Sequence, residues 1–147
     1  MQCLAALDRP QPRVELGLAL RGVASAAIDV SDGLLADIGH ILERAGLAAD
    51  LEFARLPRAA LEACDDATLA QRCLLAGGDD YELLFTAPAA RHAEVAALAA
   101  PLGLPLACIG RIEAQHGGER LTLVDGAGKS IDIVRRGYDH FAAAAAA

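Results

Sequence analysis

Asp29 and Asp32 flank Ser31 in the run Asp29-Val30-Ser31-Asp32-Gly33, which sets two carboxylates and a hydroxyl close together along the chain. Where a strand turns into a helix, these groups would converge beside backbone N–H groups at the positive end of the helix dipole. Such a corner can hold a metal ion and a phosphate together, and Gly33 suits it because a residue without Cβ lets a ligand approach the backbone. The same residue types fit a plainer role, in which Ser31 or Asp32 caps the helix and contributes roughly 0.5 to 2 kcal/mol. The local pattern leaves both open. A calcium-binding EF-hand loop is excluded, since Gly33 falls on the third ligand position and His40 stands where the bidentate glutamate belongs.

Gly77-Gly78-Asp79-Asp80 is a second glycine–acid corner, this one leading into a strand. Its acids suit a metal-bound phosphate or a cationic substrate group, while a helix C-cap followed by a turn favours the same residues. Spacing alone does not choose. His40, His92, His116 and His140 are scattered, with no H-E-x-x-H pattern and no neighbouring cysteine, so none is assigned a catalytic or zinc-binding role. No G-x-x-x-x-G-K-[ST] phosphate loop occurs, and Ser31 sits in no G-x-S-x-G elbow.

Periodicity supplies the elements that must carry these corners. Val14, Leu16, Leu18 and Leu20 suggest a short helix that stops near Gly22, and Ser25 to Val30 reads as a buried strand whose C-terminal end delivers the first corner. From Ser31 on, Leu34, Leu35, Ile38, Ile41 and Leu42 share one helical face, with Asp37, Glu43 and Arg44 elsewhere and Gly46 as a stop. Leu47 to Phe53 alternates as a strand that Leu56-Pro57 breaks, and helices are expected from Arg58 to Cys64 and from Ala67 to Ala76. Tyr81 to Ala87 reads as a central strand and Ala89 to Ala100 as a helix closed by Pro101 and Gly103. Strands are expected at Pro105 to Ile112, Arg120 to Val124 and Ile131 to Val134, with Asp125-Gly126 as a tight hairpin turn between the last two. Together these predict an α+β fold, a mixed β-sheet with packed helices, as a single domain over residues 1–147 with a frayed alanine tail at 142–147.

Composition narrows the partners. A chain of 147 residues is long enough to bury roughly 70% of its unfolded surface, and its 54% hydrophobic content with no Trp predicts an aliphatic core. A net charge of -7 opposes contact with nucleic acid, whose affinity rests on neutralising phosphates with Lys and Arg. An acidic surface that binds phosphorylated metabolites instead needs divalent cations between its carboxylates and the ligand. Cys3, Cys64, Cys73 and Cys108 form neither a C-x-x-C pair nor a zinc spacing, and reduced thiols in the cytoplasm are the simplest expectation. No apolar run has the length that a bilayer crossing requires, so no membrane partner is expected.

Ala27-Ile28-Asp29-Val30-Ser31-Asp32-Gly33-Leu34, Asp37-Ile38-Gly39-His40-Ile41, Gly77 to Thr86 and Gly137-Tyr138-Asp139-His140-Phe141 together resemble the thiamine-monophosphate kinase family. The match spans nearly the whole chain in the family's order, and it is most specific in Gly77-Gly78-Asp79-Asp80-Tyr81-Glu82-Leu83 and the Gly137 to Phe141 string. The resemblance implies the C-terminal domain of an enzyme of the aminoimidazole-ribonucleotide-synthetase-like superfamily, which uses ATP to phosphorylate thiamine monophosphate to thiamine diphosphate. It implies Mg2+ as cofactor and no covalent phosphoenzyme. By the same resemblance Asp29 and Asp32 bind magnesium, Ser31 contacts ATP, and Asp79 and Tyr138 line the thiamine-phosphate site. Those residue types suit the roles: Asp79 would attract the cationic thiazolium and the Tyr138 ring would stack on it.

The family's N-terminal domain, with further acidic metal ligands and ATP contacts, has no counterpart in this sequence. The chain is therefore expected to be a fragment without activity of its own, monomeric where the full-length enzyme is a homodimer. Two other readings stay open: a related ATP-dependent synthetase of the superfamily, acting on an aminoimidazole, selenide or maturation substrate, and a metabolite-binding module without catalysis.

Overall fold

The computed structural model describes residues 8–57, 64–78 and 81–133. Two of the expected site residues, Asp79 and Tyr138, lie outside them, as do most of the helix expected from Arg58 and the alanine tail.

Helix α1, Val14–Ala19, buries Leu16 and leaves Val14 and Leu18 exposed. Strand β1, Ala26–Asp29, follows, and then α2, Leu34–Ala45. The apolar stripe of α2 is the one its spacing predicts, with Leu35, Ile38 and Leu42 at 1%, 3% and 1% exposure. Gly46 ends it in a left-handed C-cap at φ +66, a conformation that costs glycine nothing. Strand β2, Leu47–Glu52, runs into a single 3-10 turn at Phe53–Arg55. Helix α3, Ala67–Ala76, is capped by Asp66, whose carboxylate accepts from the N–H groups of Thr68 and Leu69 at 2.9 and 3.0 Å.

Strand β3, Leu83–Thr86, leads to a 3-10 turn at Ala89–Arg91, then α4, His92–Ala97, and α5, Ala99–Leu102. The single helix expected from Ala89 to Ala100 is thus broken at Leu98. Pro101 explains the position of the break, because a proline ring clashes with the carbonyl four residues earlier, here that of Ala97, where α4 ends. The last strands are β4, Gly110–Ala114, and β5, Leu121–Val124. Residues 105–109, expected to begin a strand, have no regular structure.

The strands form two sheets, β1–β3 and β4–β2–β5. β1 and β3 are antiparallel, with Asp29 opposite Leu83. In the larger sheet β2 runs antiparallel to β4 and parallel to β5, so the fold is α+β with a mixed sheet, as the sequence predicts. Among the described residues β3 pairs with β1 alone rather than standing at a sheet's centre. After β5 the chain turns over residues 125–129 instead of at Asp125-Gly126: the Asp125 carboxylate accepts from Ala127 N and Lys129 N, and Gly128 takes φ +79. The strand expected beyond is reduced, in the described residues, to a bridge at Ser130 and one hydrogen bond from Ile131 N to Leu123 O.

One buried cluster joins the two sheets. Leu35, Ile38 and Leu42 of α2 pack with Val30 and Leu84 on one side and Ala49, Leu51, Leu121 and Leu123 on the other. Each such leucine, isoleucine or valine side chain contributes about 1.5–3 kcal/mol by leaving water. This fixes α2, and so its first turn, relative to the ends of β1 and β3.

Candidate functional site

The antiparallel pairing of β1 with β3 brings the segment leaving β1 beside the segment entering β3, and Val30 N donates to Glu82 O at 2.9 Å. Contact then continues backbone to backbone. A Cβ on Gly78 would overlap the carbonyl oxygen of Ser31, and a Cβ on Gly33 would stand 2.8 Å from Cα of Ala76. Gly33 also has φ +115 and ψ +149, a region open almost only to glycine. The glycines that open the second motif, remote in sequence, therefore lie against the first corner.

Helix α2 begins after Gly33, which stands at its N-cap and has no side chain to offer the first turn. The N-cap position is thus glycine rather than Ser31 or Asp32. Instead the chain folds back on Asp37, whose Oδ2 accepts from Ser31 N at 2.9 Å and from Asp32 N at 3.2 Å. Asp37, expected away from the apolar face, is 2% exposed and is the one buried charged residue among those described. A carboxylate tolerates that burial when amides donate to it and a helix N-terminus lies alongside. Asp29 and Ser31 are exposed, and Asp32 is half-buried.

Asp32, Asp37 and the exposed His40 each bring one ligand atom to within 4.8 Å of the others. Asp29 is not in that group. Sequence reasoning gave His40 no role and left Asp37 on the polar side of the helix. The available signal was their i, i+3 spacing, which puts both on one helical face near Asp32. The carboxylates of Asp32 and Asp37 suit a hard cation such as Mg2+, and the His40 imidazole beside them widens the choice toward softer divalent ions.

Arg13 closes the other flank. Its guanidinium makes a two-pronged contact with Glu82, Nε to Oε2 at 2.9 Å and Nη2 to Oε1 at 2.5 Å. The hydrogen bond to Glu82 and its charge hold the Arg13 guanidinium protonated even more firmly than usual, against a smaller opposing effect of burial. Tyr81, next in the chain, is exposed and has φ +55, uncommon for a residue with a bulky side chain.

No protein-family model matches the chain. It is 42% identical over 135 residues to the thiamine-monophosphate kinase of Haemophilus influenzae, a match covering 90% of this chain and 41% of that protein. The crystal structure of thiamine-monophosphate kinase from Stenotrophomonas maltophilia K279a superposes with a TM-score of 0.72 at 46% identity, over 84% of this chain and 37% of that one. A structure described as AaThiL complexed with AMPPCP and TMP superposes with a TM-score of 0.67 at 30% identity, over 90% and 39% of the two chains. The chain spans about two fifths of the length of these relatives.

Proposed function

Because this chain belongs to the thiamine-monophosphate kinase family, we propose that it supplies one part of an active site that transfers a phosphoryl group from ATP to thiamine monophosphate. The observation that carries this is the meeting of the two motifs, with Gly78 against Ser31 and Asp37 gripping the Ser31 and Asp32 amides. Support also comes from the relative AaThiL, solved with AMPPCP and TMP.

Phosphoryl transfer is mostly positioning and charge neutralisation, and the corner offers both. Asp29 and Asp32 hold Mg2+, which when bound neutralises phosphate oxygens. The hydroxyl of Ser31, an exposed residue, contacts ATP. Asp79 and Tyr138 line the thiamine-phosphate site, Asp79 following Gly78 directly in the chain. The chain acts as one C-terminal domain. Further metal ligands and ATP contacts come from the rest of the enzyme, a cytoplasmic homodimer, whereas the isolated chain is a monomer. Among the described residues no helix is long and apolar enough to cross a membrane.

The test has two arms. Pure 147-residue chain with ATP, Mg2+ and thiamine monophosphate is expected to yield no thiamine diphosphate, and the complete gene product is expected to make it steadily. In the complete product, Asp32→Ala is expected to lower kcat by about 100-fold, the scale of losing one charge-stabilising group. A complete product that leaves thiamine monophosphate unchanged removes the proposal.

A further inference from the structure

We propose that Asp37 is a positioning residue for phosphoryl transfer: its buried carboxylate holds the backbone of Ser31 and Asp32 so that their side chains face nucleotide and metal. The proposal rests on the functional reading above. Asp37 belongs to the first turn of α2, whose Leu35, Ile38 and Leu42 are fixed in the core. From that rigid base it takes both amides, Ser31 N at 2.9 Å and Asp32 N at 3.2 Å. On its other side the Ser31 carbonyl abuts Gly78, where no Cβ fits. The segment is thus pinned through its N–H groups and through its carbonyl, and this backbone sets the points from which the Ser31 and Asp32 side chains leave.

This changes how the corner can meet a phosphate. Amides at a helix N-terminus ordinarily serve as an anion cradle. Here the amides of Ser31 and Asp32 already donate to an internal carboxylate, whose negative charge would also repel a phosphate. Phosphate must therefore be reached through the Ser31 hydroxyl and through a cation, which makes this corner depend on metal more strongly than an amide cradle would.

The experiment uses Asp37→Ala, Asp37→Asn and Asp32→Ala in the complete gene product. It follows Mg2+ dependence of kcat, amide exchange at Ser31 and Asp32, and the circular-dichroism melt. A neutral amide oxygen still accepts both N–H groups, so Asp37→Asn is expected to keep amide protection and remain within about tenfold of wild-type kcat. Asp37→Ala is expected to lose that protection, to lower kcat by about 100-fold, as small misplacements do, and to raise the Mg2+ needed for half-maximal rate, at a temperature where the melt shows it folded. Wild-type kinetics in Asp37→Ala would overturn the proposal. So would an Asp37→Asn variant with intact amide protection that fails as badly as Asp37→Ala, since that pattern marks a charge or metal ligand. If Asp37→Ala does not fold, Asp37→Asn decides on the same two readouts. Should Asp32→Ala leave the Mg2+ dependence unchanged, the metal reading of the corner fails and takes this proposal with it. Should Asp32→Ala raise it while Asp37→Ala does not, the reading stands and only the proposal falls.

Discussion

The corner at residues 31–33 and the turn at residues 125–129 are built from the same parts. Each has glycines at positive φ, Gly33 in one and Gly128 in the other, and each has an aspartate accepting from two backbone amides. The difference lies in what stands behind them. Asp125 binds amides two and four residues ahead, in solvent, and neither Gly126 nor Gly128 has anything near the place a Cβ would occupy. Asp37 binds amides behind it from within the core, and Gly33 and Gly78 meet backbone from another part of the chain. Identical residue types make a local surface turn in one place and a tertiary junction in the other.

The largest expected effect tests that junction through its glycines. Gly78→Ala drives a methyl into the Ser31 carbonyl, and Gly33→Ala combines a forbidden backbone conformation with a clash at Ala76. Each is expected to cost about 3 kcal/mol or more, by strain and overpacking together. Gly126→Ala, with open space around it, is expected to stay within about 0.5 kcal/mol of wild type. Urea unfolding of the 147-residue chain measures all three, and equal losses in the corner and the turn would erase the contrast.

The aspartates come next. Asp37→Ala leaves two amides without their acceptor beside the core and is expected to cost about 2–3 kcal/mol. Asp125→Ala exposes its amides to water, which replaces the carboxylate, so about 0.5–1 kcal/mol is expected. The same unfolding measurement applies, and a cost for Asp125→Ala as large as that for Asp37→Ala would mean that burial does not set the difference.

What was legible in the sequence tracks this distinction. Helix α2 could be read from Leu34 to Gly46 because its apolar stripe and its C-cap are local signals, and α3 likewise from Ala67 to Gly77. Both glycine–acid corners were visible as motifs, yet nothing local showed that Gly78 would rest on Ser31, since that contact comes from the pairing of β1 with β3. Asp37 was misplaced for a related reason. A helix pattern assigns a carboxylate to the polar face, and only the returning Ser31–Asp32 backbone makes its burial tolerable. The division into two sheets was illegible because strand pairing is non-local, whereas the break at Leu98 was available from Pro101 and its clash with the carbonyl four residues earlier.

The smallest expected effect concerns the pair that ties the segment before α1 to the flank of the corner. Arg13 and Glu82 face each other with side-chain exposures of 25% and 55%, so water and salt screen most of their attraction. Arg13→Ala is expected to cost only about 0.5 kcal/mol, with the cost shrinking further as salt is raised. The pH dependence follows from sign. A basic group whose folded pKa is raised stabilises the fold fully below its unfolded pKa and loses that contribution only as pH climbs through the folded value. For a guanidinium both lie beyond any pH at which the chain would be handled, so deprotonation of Arg13 will not show in a stability profile. Unfolding midpoints of wild type and Arg13→Ala at low and high salt test this. A difference that stays constant with salt, or that exceeds the loss in Asp125→Ala, would mean that Arg13 holds the Glu82 segment by packing of its stem rather than by charge.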